Sequence, residues 1–282
     1  MPIATLKKLL NEAQEEHRCI PAFHVASLDM IRAAVRASEH LEYPVVIQIT
    51  EKFLSYAPLE LIGPAMVTAA ENASTMVCVN LDMGHYEELF QQAMDLGFTS
   101  VMYDGSRRCL EENIEYTRKV VEMAESYGVS CEAVLHGREA EKSDAEHAFE
   151  MTDPDIVKEF CAQTGIDGLV VSVGNQPRHQ VGEGCLDFRR LDKIRKETSL
   201  PLILQGGSGI SDADSRRASE LGICKINYAT ENFRVILQAA KEYLGADGSS
   251  YLEMKHSMLQ AMYERVLKRI QLLSETAVPR QE

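Results

Sequence analysis

The chain has 282 residues, 45% of them hydrophobic and 26% charged, a globular make-up with room for one large or two modest domains. Its 29 basic against 43 acidic residues give a formal net charge of -14, which argues against nucleic-acid or anionic-membrane binding, since both need clustered Lys and Arg. No segment approaches the ~18 apolar residues that span a bilayer, and the opening MPIATLKKLLNEAQEEH reads as an amphipathic helix rather than a signal peptide, so a cytoplasmic protein is expected.

In chain order, short β-branched apolar runs alternate with longer stretches of helical period. Strands are expected at 19–25 (CIPAFHV), 44–50 (PVVIQIT), 76–82 (MVCVNLD), 100–105 (SVMYDG), 129–136 (VSCEAVLH), 168–174 (GLVVSVG), 201–207 (PLILQGG) and 224–230 (CKINYAT). Between them lie amphipathic segments such as LDMIRAAVRASEHL and CLEENIEYTRKVVEMAESYG, the second closing on Gly128 as a helix stop. Most strands are apolar on both faces, as in a parallel sheet covered by helices. Eight strand–helix units in one domain spanning 1–282 predict a (β/α)8 TIM barrel with additional C-terminal helices; a doubly wound open sheet is the alternative, because counting units does not prove closure. The acidic, polar stretch 137–154 is expected as a βα loop, either a lid or a solvated surface loop. Cys19, Cys78, Cys109, Cys131, Cys161, Cys185 and Cys224 form no CxxC pair and read as reduced structural thiols.

Barrel chemistry sits at the C-terminal strand ends. There the sequence places His24, Thr50, Asp82, Asp104, Glu132 with His136, Gly174 with Asn175, Gln205 with Gly206, and Asn227 with Thr230. QGGSGIS (205–211) is a Gly-rich turn entering a helix, and KINYATEN (225–232) offers an amide, a hydroxyl and backbone N–H groups at the next helix start. Paired after strands seven and eight, they predict a phosphate site. Asp82 is the candidate general acid or base, with a helix N-cap as its structural alternative.

These motifs resemble the class II ketose-bisphosphate aldolases, most nearly the tagatose-bisphosphate type. The likeness is carried by IPAFHV, VIQITE, LDMGH, GFTSVMYDGS, TDPDIVKEF, TGIDGLVVSVG, LPLILQGGSGIS and KINYATE, from about residue 3 to the end. The resemblance implies a lyase that cleaves a carbon–carbon bond in a phosphorylated ketose through zinc and an aspartate. Asp82 falls on that aspartate; Gly206, Gly207, Ser208, Asn227, Tyr228, Ala229 and Thr230 fall on the phosphate grip, and Thr50 and Arg178 join the expected substrate-binding set. The likeness also implies a homo-oligomer.

The family's three zinc histidines correspond to Met83, Pro177 and Gln205, its metal-side glutamate to Val134, and the Asn after strand one to His24. Thioether, proline and carboxamide do not reproduce a zinc site. No cofactor is therefore expected at the family position. His24, His136 or Lys225 is then the candidate replacement electrophile. A relocated divalent metal at His85, His136 and His179 is the variant, since each lies two residues past a lost ligand or past Val134. The expectation is an aldolase-like lyase on a phosphorylated sugar, not working by the usual zinc mechanism. A non-catalytic sugar-phosphate-binding relative or partner subunit is the alternative.

Overall fold

The computed structural model describes residues 3–137, 151–175, 186–246 and 248–275. Eight parallel strands close in sequence order: β1 (Ile20–His24), β2 (Val45–Thr50), β3 (Val77–Gly84), β4 (Ser100–Tyr103), β5 (Ser130–Leu135), β6 (Gly168–Val171), β7 (Leu202–Leu204) and β8 (Ile223–Tyr228). Because β8 pairs with β1, the sheet has no edge, which removes the doubly wound alternative. The helices are α1 (Leu6–Glu15), α2 (Leu28–Leu41), α3 (Leu59–Glu71), α4 (Glu87–Asp95), α5 (Leu110–Tyr127), α6 (Pro154–Thr164), α7 (Phe188–Glu197), α8 (Asp212–Glu220), α9 (Thr230–Gly245) and α10 (Tyr251–Ser274). No helix among the described residues is long and apolar enough to cross a membrane.

Local chemistry sets these boundaries. Thr5 and Ser27 cap α1 and α2 by accepting the N–H groups of Lys8 and Met30, and Asp153 caps α6 with Pro154 in its first turn. Gly128 and Gly165 close α5 and α6 in the left-handed region, at φ 68° and 72°. Helix α1 buries Leu6, Leu9, Leu10 and Ala13, and its Lys7 N–H donates to Ser130 Oγ at the start of β5.

Strand register stacks polar side chains inside the barrel. Gln48 lies opposite both His24 and Asn80, Thr50 opposite Asp82, and Glu132 opposite Met102. With a period of two, Lys225 and Asn227 share one face of β8, and Ile226 and Tyr228 share the other.

Strand β3 continues two residues past the expected end, through Met83 and Gly84, with a register shift against β4 between Leu81 and Gly84. Helix α4 starts only at Glu87, with Tyr86 at its N-cap, so Asp82 is a strand residue and not a cap. Met83 sits at φ 51°, a left-handed conformation uncommon for a residue with a long side chain. Gly84 allows α4 to approach, because a Cβ there would meet the Phe90 ring at 2.5 Å. Of the expected loop at 137–154, residues 138–150 lie outside the described residues, as do 176–185 with Pro177, Arg178, His179 and Cys185. Thr152 is tied back to the barrel, donating Oγ1–H to Leu135 O at 2.6 Å and N–H to Ser172 O at 2.8 Å.

Candidate active site at the C-terminal mouth of the barrel

Asp82, at 0% exposure, is held by both carboxylate oxygens. His24 Nε2 lies 2.7 Å from Oδ2, and Gln205 Nε2 donates to Oδ1 at 3.1 Å. Two residues expected as separate features, a candidate acid/base and a candidate electrophile, are therefore one hydrogen-bonded pair, joined by a residue that stands at a family ligand position. Gln205 Nε2 also approaches Met102 Sδ at 3.5 Å. The Phe53 ring meets His24 edge-on at a centroid distance of 6.1 Å and packs on Phe233 at 5.1 Å, forming an apolar wall beside the pair.

Beneath this layer runs a buried polar chain that sequence reasoning missed. Gln48 Nε2 is 3.2 Å from His24 Nδ1, and Gln48 Oε1 accepts from Asn80 Nδ2 at 3.3 Å. Asn80 Nδ2 also donates to Glu132 Oε1 at 2.8 Å, and Lys225 Nζ donates to both Glu132 oxygens at 2.7 and 2.9 Å. The available signal was the polar residue two places before Thr50 and before Asp82, on the same strand face. Burial pushes the Glu132 carboxyl above its usual range; Lys225 opposes that shift and Asp82 adds to it. Lys225, expected as a replacement electrophile, is at 0% exposure and donates to both Glu132 oxygens. That pairing holds its amine one layer below the mouth.

The two phosphate-type turns meet as expected, with a different division of labour. Gly206 takes φ 73°, and Gly207 must lack a side chain, because a Cβ would meet Ile226 Cγ2 at 2.5 Å and Asn227 O at 3.0 Å. Ser208 Oγ accepts the N–H groups of Ala229 at 3.3 Å and Glu231 at 3.2 Å, so those donors stitch the turns together. None of the turn bonds among the described residues uses the N–H of Gly207, Ser208 or Thr230. Asn227, at 1% exposure, leaves both Oδ1 and Nδ2 without a partner, a cost of about 1–3 kcal/mol per group unless something satisfies it.

Tyr228, expected in the phosphate grip, turns its side chain away, at 0% exposure on the outer face of β8, stacked on Phe23 at 5.8 Å and under the Arg269 guanidinium at 5.0 Å. Only its backbone remains near the turn. Arg269 in turn grips Glu231 with two bonds of 2.7 Å, fixing the start of α9. Thr50 is 7% exposed at the end of β2, beside Asp82 in the register.

His85 pairs its Nδ1 with Glu51 at 3.0 Å and its Nε2 with Asp104 at 3.6 Å. Asp104, and secondarily Glu51, push its imidazole up to about 9 against partial burial. Burial alone would raise Asp104, but bonds from His85 and Ser106 outweigh it and hold its carboxyl below the usual range. The expected trio His85, His136 and His179 is not assembled among the described residues: His85 is committed to carboxylates, His136 follows β5 with its carbonyl accepting Asp153 N–H, and His179 lies outside them. No group of three or more His, Cys, Asp or Glu among the described residues is placed to hold a metal ion. At the family ligand positions, Met83 offers a thioether and Gln205 turns its amide N–H toward Asp82, while Pro177 is not described. This donor set does not fit zinc. Cys19, Cys78 and Cys131 are buried thiols pushed up by burial, Cys78 to about 12, and none is a thiolate at neutral pH.

Residues 4–277 match the family model described as fructose-bisphosphate aldolase class-II. Over 272 residues the chain is 34% identical to the YdjI protein of Escherichia coli K12, covering 96% of this chain and 97% of that one. It is 35% identical over 261 residues to a protein of Bacillus subtilis strain 168 named probable fructose-bisphosphate aldolase, covering 91% of each. The crystal structure of the YdjI aldolase from E. coli K12 superposes with a TM-score of 0.87 at 32% identity, covering 96% of this chain and 97% of that one.

Proposed function

This chain belongs to the class-II fructose-bisphosphate aldolase family, and on that footing we propose that it is an aldolase-type lyase acting on a phosphorylated ketose without a zinc ion at the family position. The carrying observation is that His24 and Gln205 occupy the two oxygens of Asp82 at the strand ends. Carbon–carbon cleavage needs a base for the hydroxyl proton of the carbon that becomes the aldehyde. It also needs a donor for the carbonyl oxygen that receives the electron pair. Asp82, oriented by His24, serves as the base. The second hydrogen of the Gln205 amide, which otherwise faces Met102 Sδ at 3.5 Å, is the donor offered to the developing charge, while the His24 hydrogen stays on Asp82. The Gly207, Ser208 and Thr230 N–H groups, with the unpartnered Asn227 amide, suit the phosphate end.

The test is a retro-aldol assay over a panel of phosphorylated ketoses, with chelator-treated and zinc-supplemented protein in parallel. Turnover insensitive to chelator, and lowered roughly 10²–10⁴-fold by Asp82→Asn, is expected. An absolute zinc requirement refutes the reading. Binding without turnover on any substrate supports the second reading, a sugar-phosphate-binding relative, which the 0% exposure of Asp82 favours. A homo-oligomer belongs to the same proposal, because Leu237, Leu244, Tyr251 and Leu252 leave apolar surface exposed on α9 and α10; sedimentation velocity measures it.

A further inference from the structure

The donor and acceptor sense of every link in the buried chain from Lys225 to Asp82 is set by its neighbour. Lys225 Nζ has only hydrogens to give, and it gives them to both oxygens of Glu132. The group that approaches Glu132 Oε1 at 2.8 Å from Asn80 is therefore its amide nitrogen. The same nitrogen faces Gln48 at 3.3 Å, so Gln48 presents its carbonyl oxygen on that side and its NH2 toward His24. That NH2 nitrogen lies 3.2 Å from Nδ1 and 3.3 Å from Nε2 of the imidazole. His24 Nε2 is 2.7 Å from Asp82 Oδ2, an acceptor, so its hydrogen is directed there and the free lone pair is on Nδ1. Tyr228 O is a competing acceptor on the other side of the ring, but at 3.4 Å from Nδ1 it is a much longer contact than Asp82 Oδ2 at 2.7 Å from Nε2, so the single hydrogen of the neutral ring goes to Asp82.

We propose that Gln48, oriented by Asn80, is a positioning residue that fixes His24 as the Nε2–H tautomer and thereby keeps a hydrogen bond donated to Asp82. Glu132 and Lys225 anchor the far end, which gives an ion pair remote from the mouth a part in the chemistry there. Gln48 touches no substrate; it acts through the imidazole. Its kinetic consequence rests on the lyase reading above, whereas the tautomer itself does not.

The experiment is long-range 1H–15N correlation NMR on protein labelled at its eight histidines, with His24 assigned from the signals missing in His24→Asn. Wild-type protein is expected to show a protonated Nε2 and an unprotonated Nδ1 at His24. Gln48→Glu puts an acceptor beside Nδ1 and is expected to protonate it; Gln48→Met removes the donor and is expected to give mixed tautomers. Should Gln48→Glu not fold, Asn80→Ser releases the Gln48 amide and is expected to loosen the preference in the same direction. In the retro-aldol assay Gln48→Met is expected to lower kcat by about 10²-fold with KM little changed. A wild-type His24 carrying its hydrogen on Nδ1, or on both nitrogens, overturns the proposal. So does an unchanged His24 spectrum in Gln48→Met. A wild-type protein with the expected spectrum but no turnover sinks the lyase reading and leaves the tautomer assignment standing.

Discussion

Replacing Lys225 by Met tests whether the barrel interior depends on an ion pair that a nucleophilic lysine could not make. Lys225 and Glu132 are both at 0% exposure, and Nζ donates to the two carboxylate oxygens at 2.7 and 2.9 Å. Without Nζ, Glu132 keeps only the Asn80 amide at 2.8 Å and faces Asp82, whose charge already opposes its ionisation. Removing one partner of such a pair costs about 3–5 kcal/mol. At roughly 2–4 °C per kcal/mol for a large domain, Tm falls by ~6–20 °C. The stranded carboxyl is raised further, so the folded state of the variant binds a proton that the unfolded state releases above its ordinary pKa near ~4.3. Stability of Lys225→Met therefore rises as pH is lowered from 8 toward 5, narrowing its deficit. Adding Glu132→Gln, which removes the charge and leaves Asn80 an acceptor, recovers most of the loss. Urea unfolding of both variants across that pH range is the assay. A loss below about 1 kcal/mol in Lys225→Met, or a double variant no better than the single, refutes the argument.

Gly207→Ala forces a Cβ to 2.5 Å from Ile226 and 3.0 Å from Asn227 O, so the turn shifts and inorganic phosphate affinity by calorimetry drops at least about tenfold while the barrel stays folded by circular dichroism. His85→Gln removes an imidazole raised to about 9 by Asp104 and Glu51. Its contribution is full below the unfolded value near ~6.5 and is lost as pH rises through 9. Its side chain is 43% exposed, so solvent screening limits the effect to roughly 1 kcal/mol or less, and the variant flattens the stability profile between those pH values. Arg269→Met leaves buried Glu231 with Arg265 at 3.8 Å, and a loss of about 3–5 kcal/mol is expected in thermal unfolding; no change would show that α10 does not secure the start of α9.

The barrel was legible because its signals are local. Apolar β-branched runs are bounded by Gly or polar residues, and helix stops such as Gly128 punctuate the alternation. Closure was not legible, because pairing of β8 with β1 is a contact between chain ends that periodicity does not encode. The strand-three error has a clear cause. Asp82 followed by Gly84 imitates a cap, but Met83 in the left-handed region carries the strand on to Gly84 and delays α4 to Glu87. At the site, residue types at the strand ends identified Asp82, His24 and Gln205, yet nothing in the sequence states that they touch. The outward side chain of Tyr228 was not legible because the motif continues through it, nor was the pairing of Lys225 with Glu132, because a desolvated lysine and a paired one look alike in sequence.

The departures from the family pattern act on one another. Losing imidazole ligands at positions 83 and 205 would, by itself, leave Asp82 as a fully buried carboxylate beside a second buried carboxylate, Glu132, whose partner among the described residues is the Lys225 ammonium. An uncompensated charge there costs several kcal/mol or is protonated. Gln205 supplies one donor to Asp82, and His24, at a position where the family carries Asn, supplies the other. Gln48 and Asn80 then fix which hydrogen His24 offers. Substituting any one of these alone strands a buried polar atom. A stepwise return toward zinc binding, His24→Asn with Met83→His, Pro177→His and Gln205→His, is therefore expected to be tolerated only in combination, with the single changes at 24 and 205 each less stable than the combined variant in the presence of zinc.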